Sequence, residues 1–500
     1  MRITGSKRAR LKRNTRKKNL TSRIVILGAG QIGTHILKRM ADDGYDVVVI
    51  DSDENAIDTA ANIADVATLV GDGTDPNMYE EIGLNEKDLF LAVTDSDEIN
   101  LIACRIASAF GCQKKIARVK QAHYSYTNNE RLNLKFWQDF GIQVLFNQSE
   151  LTYHEIEQLL ENPGAIDTIR LLENRLQLIA FRVKKNSLLC DRRLVGLRDV
   201  PIFQDLIVAA VTTSADLKNS KNVKLLRNLK LPVDRGRDCT LIPRGDYRIQ
   251  EGDLLFICGK KENFDGIGEL FDPDLNRDFQ SIFILGGSIL ARYVAESMVV
   301  KYPGKKIFFI EKTKRSAYEA SEELNKKIKV LLTDVHDIES VIEEGLGKSS
   351  VFIAASNSED DNLLACLLAK EEAHARTIAV VQNTTYMHLI PYLDLDAAVS
   401  PKLLIVDDVL KALRHSVYDV LSAKTDDAEV LEFVVHEKSI CAGVILQDFR
   451  FPVNAIIIGI QRDDNIMIPR GTTRLETGDH VVIFARRSAI ADVQYVFQPR

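Results

Sequence analysis

The seven cysteines among 500 residues (Cys104, Cys112, Cys190, Cys239, Cys258, Cys366 and Cys441) include no CxxC pair. Such an odd, scattered set gives neither a disulfide framework nor a zinc site, and it fits a reducing, cytosolic compartment. Long hydrophobic runs are missing too. No apolar stretch reaches the roughly 18 uninterrupted residues of a spanning helix, so any membrane role is expected to be peripheral. The sequence also lacks a Gx5GK[ST] loop, an HExxH pair and a nucleophile elbow. Its nine histidines are dispersed. His35 falls on a predicted helix with a surface or packing role, and His336, beside Asp334 and Asp337, reads as part of a solvated loop. No catalytic residue and no metal ligand set is expected.

What is present is the balance of a soluble globular chain, with 45% hydrophobic and 27% charged residues. At about 100–200 residues per domain, the length suggests roughly three to five domains. The net charge of −6 is unevenly spread, because residues 1–23 carry ten Lys or Arg and no acid. The total therefore divides into +10 on this arm and −16 on the rest. An overall basic nucleic-acid-binding protein is disfavoured. The arm lacks the apolar region of a secretory signal. A solvated arm, contact with an anionic membrane leaflet, a transit peptide and a nucleic-acid contact remain open for it.

The chain repeats itself. Ile24 to Asp51 and Ile282 to Glu311 each read as strand, glycine-rich turn, helix and strand. Ser96 to Cys104 aligns with Ser358 to Cys366, an offset of 262. Ile242-Pro243-Arg244-Gly245 aligns with Ile468-Pro469-Arg470-Gly471, an offset of 226. Part of the difference is an insertion of 23 residues placed between about Thr212 and Thr240, rich in Lys and Arg. The expected fold class is α/β: two Rossmann-like parallel sheets, each followed by a small β-rich α+β domain. In the small domains, Leu254–Ile257 and Val481–Phe484 read as closing strands after a Gly-Asp turn.

Gly28-Ala29-Gly30-Gln31-Ile32-Gly33 fits GxGxxG between a predicted strand and a predicted helix. In that setting Gly28 permits the tight turn, Gly30 the approach of a pyrophosphate and Gly33 close helix packing. The helix N-terminus presents unpaired N–H groups to phosphate. Asp51 closes the second strand where a carboxylate meets ribose hydroxyls, which disfavours a 2′-phosphate. Asp72, Thr94, Asp95 and Arg118 lie at further strand ends facing the same crevice. For Arg118 a phosphate contact and a salt bridge to Asp72 or a neighbour are both open. Asp97 and Asn100 read as caps of the next helix.

The second copy, Gly286-Gly287-Ser288-Ile289-Leu290-Ala291 with Glu311, replaces two glycines by Ser288 and Ala291 and Arg118 by Val380. It reads as an eroded or altered site. On the residues alone, an NAD-dependent oxidoreductase is the alternative. It rests on the first turn and Asp51, with no acid–base grouping to support it.

GAGQIG, Val49-Ile50-Asp51, Gly71-Asp72-Gly73, Val93-Thr94, Asp97 to Asn100 and Ala117-Arg118-Val119 together resemble the regulator-of-potassium-conductance (RCK) family. Over about residues 23–500 the tandem arrangement is similar to the TrkA family, cytosolic regulatory subunits of bacterial Trk potassium uptake systems. The resemblance implies a first RCK N domain (23–150), a crossover helix (151–166) and a first RCK C domain (167–271), while the basic tail (1–22) and the insertion near 212–240 depart from the family. It then implies a second RCK N domain (279–400), a crossover helix (401–426) and a second RCK C domain (427–500). In the first of those helices, Leu151, Ile156, Leu159 and Leu160 sit at helical spacing.

It further implies NAD(H), with ATP or ADP as further ligands, held by Gly28, Ala29, Gly30, Gln31, Ile32, Gly33, Asp51, Asp72, Thr94, Asp95 and Arg118. A weaker second site would comprise Gly286, Gly287, Ser288, Ile289, Leu290 and Glu311. The implied partners are an integral-membrane potassium transporter and further copies of the chain in a ring. The implied location is the cytoplasmic face of the plasma membrane.

Overall fold

The structure is a computed structural model describing residues 23–42, 44–124, 133–172, 174–213, 239–273, 275, 278–387, 390, 393, 395–413, 420–422 and 428–499. The arm at 1–22 and nearly all of the 212–240 insertion lie outside the described residues. So does much of the 401–426 segment.

The first α/β domain runs β1 (Ile24–Leu27), α1 (Gln31–Asp42), β2 (Val47–Asp51), α2 (Glu54–Ile63), β3 (Ala67–Val70) and α3 (Pro76–Glu81). It continues β4 (Leu89–Ala92), α4 (Asp97–Ala109), β5 (Lys114–Val119), α5 (Leu134–Phe140) and β6 (Val144–Asn147). β1 and β4 are buried at every position, as strands covered on both faces must be. Helix α1 buries Ile32, Gly33, Ile36, Leu37 and Met40, one face at helical spacing. The strand order β3-β2-β1-β4-β5-β6 is that of a doubly wound sheet. The strand order reverses beside β1, so the loops at the carboxyl ends of β1 and β4 flank a crevice where ligands bind in such sheets.

From Phe146 onward the chain, with a short segment from Lys120, forms a second compact unit. It opens with α6 (Gln148–Glu161), capped by Asn147, whose side chain accepts from Ser149 N and Glu150 N. The buried face of α6 is Tyr153, Ile156, Leu159 and Leu160, while Leu151 is only half-buried. Next come β7 (Ala165–Leu171), β8 (Leu176–Arg182), β9 (Leu206–Thr213), β10 (Cys239–Leu241), β11 (Leu254–Gly259) and α7 (Ile267–Phe271). They form an antiparallel sheet ordered β10-β9-β11-β8-β7.

The second α/β domain follows: β12 (Ser281–Leu285), α8 (Ile289–Lys301), β13 (Lys306–Glu311), α9 (Lys314–Glu323), β14 (Ile328–Leu332) and α10 (Ile338–Glu343). It ends with β15 (Ser350–Ala354), α11 (Glu359–Glu371), β16 (Arg376–Val380), α12 (Thr384–Met387) and β17 (Ala397–Val399). Its order, β14-β13-β12-β15-β16-β17, repeats the first sheet position for position. Helix α13 (Pro401–Leu413) leads to the last sheet, β18 (Val420–Ser422), β19 (Ala428–Val434), β20 (Ala455–Arg462), β21 (Asn465–Met467) and β22 (His480–Arg486), and to α14 (Ile490–Phe497).

The strands read as closing, β11 and β22, lie in the middle of their sheets. The Gly-Asp turn before each one buries its aspartate, Asp253 or Asp479. The duplicated hairpins locate the insertion. Arg462 and Asn465 pair across two residues, whereas the equivalent Thr213 and Cys239 pair across 25. Within this unit α6 packs on α8, α13, β7 and β17. The two small sheets share one apolar cluster in which the Phe256 and Phe484 rings lie 5.9 Å apart.

Candidate functional site

Three glycines in the first turn do three different jobs. Gly28 has φ +109°, and a Cβ there would lie 2.9 Å from Thr94 N. A Cβ on Gly33 would stand 1.8 Å from Gly28 O. Both positions therefore need glycine for the chain's own packing. A Cβ on Gly30 would meet nothing within 4 Å. Among the described residues no contact forces Gly30 to be glycine, and its open side is where a ligand can approach the backbone. Gly30 also immediately precedes α1 and carries no side chain to cap it. The first N–H groups of α1 therefore have no intrahelical partner, and they form an anion-binding end.

The turn is locked to the second strand. Gly28 N donates to Ile50 O at 2.8 Å, and Ala29 N donates to Asp51 Oδ2 at 2.6 Å. Asp51 Oδ1 accepts from Asp53 N at 2.9 Å. Of the proposed contacts, Gln31 is exposed but Ile32 is buried, so only the backbone of Ile32 can reach a ligand. Gly71 N donates to Asp51 O, which brings the β3 end beside the carboxylate. Asp72 is exposed and accepts from both the N–H and the hydroxyl of Thr74, at 2.8 Å each. The Thr74 N–H and hydroxyl hold its carboxyl below the ordinary aspartate range. Tyr79, fully buried, donates to Gly73 O and fixes this loop from below.

On the other side of β1, Arg118 is buried and donates to Thr94 O at 3.1 Å and to exposed Asp95 at 3.3 Å. The salt bridge open to Arg118 is formed with a neighbour, Asp95. Asn100 is not a cap. The cap of α4 is Ser96, whose hydroxyl accepts from Ile99 N. Asn100 is fully buried; its amide oxygen accepts from Thr94 N and Oγ1, and its nitrogen donates to Thr94 O and Arg118 O. Sequence reasoning missed this organising role. The available signal was its recurrence at Asn362, which binds Ser356 and Val380 O in the same way.

The second turn keeps the lock but not the opening. Gly286 N donates to Ile310 O, and Gly287 N donates to Glu311 Oε1 at 3.1 Å. Burial pushes the Glu311 carboxyl up, against the opposing pull of the Gly287 N–H. The positive φ moves one residue on, to Gly287, and a Cβ on Gly286 would meet the Phe309 ring at 2.6 Å. Ser288 caps α8 by accepting from Ala291 N at 2.9 Å, and its hydroxyl donates to Ala355 O. Asn357 donates to Gly287 O. Ile289 is more than half exposed and Leu290 half-buried. At the mouth, His336 and Lys312 both bind Asp334, at 2.8 and 3.1 Å. His336 N–H and Lys312 hold that carboxyl at about 2. Where the first helix start is open to an anion, this one is closed by its own serine.

Among the described residues no group of three or more His, Cys, Asp or Glu is placed to hold a metal ion. Among them, too, no helix is long and apolar enough to cross a membrane.

Two Rossmann-like domains, each followed by a small antiparallel sheet, define a tandem RCK architecture. The RCK domain of GsuK superposes with a TM-score of 0.56 at 15% identity, covering 95% of both chains. The GsuK channel bound to NAD superposes at 0.55 and 16% identity, covering 95% of this chain and 79% of that one. The chain belongs to the TrkA family: the TrkA-N domain matches residues 24–134 and 282–401, and the TrkA-C domain matches 430–498.

Its relatives include the Trk system potassium uptake protein TrkA homolog of Archaeoglobus fulgidus, 28% identical over 95% of this chain and 100% of that protein. TrkA of Halomonas elongata is 27% identical over 95% of this chain and 98% of that protein. TrkA of Haemophilus influenzae is 25% identical over 95% and 99%.

Proposed function

We propose that this chain is the nucleotide-binding regulatory subunit of a Trk-type potassium uptake transporter. It acts on the cytoplasmic face of the membrane as a ring of RCK domains. NAD(H) is its ligand at the first turn, and ATP or ADP competes there. The observation that carries the reading is the uncapped start of α1 beside an unobstructed Gly30. Asp51, pinned by Ala29 N, stands at the same edge. A pyrophosphate there meets the helix N-terminus, and ribose hydroxyls meet Asp51. The names of the relatives support the transporter assignment, and the NAD-bound GsuK channel supports the ligand. In this reading Asp95 and Arg118 shape the pocket wall, and the second turn holds no pyrophosphate because Ser288 occupies its helix start.

The test is titration calorimetry with NADH, NAD, ATP and ADP on the full chain and on Gly30→Ala. Saturable binding of at least one nucleotide, weakened at least tenfold by the substitution, supports the assignment. Equal binding by both proteins removes the first turn as the site.

A further inference from the structure

The amino-terminal edge of the second α/β sheet, opposite its glycine turn, carries a cavity of about 380 Å³. That volume lies within the range of small-molecule pockets. Its lining is Lys305, Lys306, Lys327 and Lys329 around Val299, Tyr302, Pro303, Ile307 and Phe308, with no carboxylate among them. Lys329 pairs with Glu344 and lies 5.7 Å from the centre of the Phe308 ring. Lys305 lies 5.3 Å over Phe279, whose ring meets Tyr302 edge-on. Lys306 and Lys327 are exposed, and no acidic side chain among the described residues pairs with either.

The duplicated fold supplies an internal control. Strand registers place Lys306 and Lys327 at the positions held by Asp46 and Asp65 in the first copy. The same edge of the same sheet is thus acidic in one copy and basic in the other, so the fold does not require lysine there. The cavity also sits at the carbonyl end of α8, which carries partial negative charge and on its own repels anions. Lys301, in the last turn of α8, is engaged with Glu157 and Glu161 and so does not supply this charge. Four further lysines exceed what one helix end needs.

We propose that this cavity binds a phosphate-bearing anion. Lys306 and Lys327 take the phosphate as point charges, and the Phe308, Ile307 and Val299 floor takes the apolar remainder. The bound species is either a free phosphorylated metabolite or a phospholipid headgroup.

The experiment uses the full chain saturated with NAD, and Lys306→Asp/Lys327→Asp, which restores the residues of the first copy. Lys306→Gln/Lys327→Gln serves as a neutral companion. Binding of inorganic pyrophosphate is measured by calorimetry, and binding to phosphatidylglycerol vesicles by flotation. The expected result is binding of at least one probe, weakened about tenfold or more in the Asp pair and less in the Gln pair. NAD affinity and melting temperature stay unchanged. Loss confined to pyrophosphate assigns a free metabolite, and loss confined to vesicles assigns a headgroup. Equal binding by all three proteins, or no binding of either probe by wild type, overturns the proposal.

Discussion

Replacing Gly30 by alanine adds a methyl group to open space, whereas the same change at Gly33 drives a carbon into Gly28 O. Gly33→Ala is therefore expected to cost about 1–3 kcal/mol or more of folding stability, as overpacked cores do. Gly30→Ala should fold within about 0.5 kcal/mol of wild type. It should still lose at least about 1.4 kcal/mol of nucleotide affinity, a factor of ten. Urea unfolding and calorimetry on the two variants separate these effects. A Gly33→Ala protein as stable as wild type contradicts the geometry. Asn100→Ala and Asn362→Ala leave buried backbone groups without partners, at about 1–3 kcal/mol each by urea unfolding. The account also expects Asn100→Ala to weaken nucleotide binding through Thr94. The motif spacing already gave the three glycines different roles, and the structure adds the backbone contacts that a side chain would meet at Gly28 and Gly33. Asn100 was mistaken for a cap because its second partner, Arg118 O, is 18 residues away and local spacing does not report it.

At the scale of elements, α6 is tied to the second α/β domain by charge as well as by its apolar face. Lys301 reaches Glu157 at 2.8 Å and Glu161 at 3.1 Å, one helical turn apart, and Lys261 also reaches Glu161. Arg376 donates to the carbonyls of Leu159 and Leu160 at the end of α6, where a cation also complements the helix dipole. Burial pulls its guanidinium down to about 10, still charged at neutral pH. Arg376→Met is expected to cost about 1.5–3 kcal/mol, the range of a hydrogen bond to a charged group. Lys301→Met, at a partly exposed and screened site, should cost under about 1 kcal/mol. Thermal melts of the two variants check this order.

His154 lies 3.9 Å from Glu150 and 3.4 Å from Glu157, and these carboxylates raise its pKa above the ordinary histidine value. Its stabilising contribution is complete below about pH 6.5 and fades as pH rises through the folded-state value. His154→Gln should flatten that part of the melting-temperature profile above about pH 6.5. An unchanged profile rules the pair out as its cause. The strands and the glycine turns were visible in the sequence because β-branched runs and a period-2 to period-3.6 switch are local signals. The partners of α6 were not, since Lys301 and Arg376 lie 140 and more than 200 residues from the groups they bind.

For the whole molecule, duplication has produced two copies that differ in what they hold open. The first turn presents an uncapped helix start, and the second closes its own with Ser288. The second α/β domain also carries a cavity lined by Lys306 and Lys327, where the first copy has Asp46 and Asp65. A ligand shifts a conformational equilibrium only by its difference in affinity for the two states. For the proposed regulation, the first turn must bind nucleotide more tightly in one arrangement of the proposed ring than in the other. A tenfold difference between NAD(H) and ATP or ADP in this preference changes the balance of states by about 1.4 kcal/mol.

The most direct measurement is potassium flux in proteoliposomes holding the Trk-type membrane subunit of the same system and this chain, with each nucleotide added in turn. The account predicts flux that changes with nucleotide for wild type and does not for Gly30→Ala. Flux indifferent to every nucleotide that wild type measurably binds would contradict it.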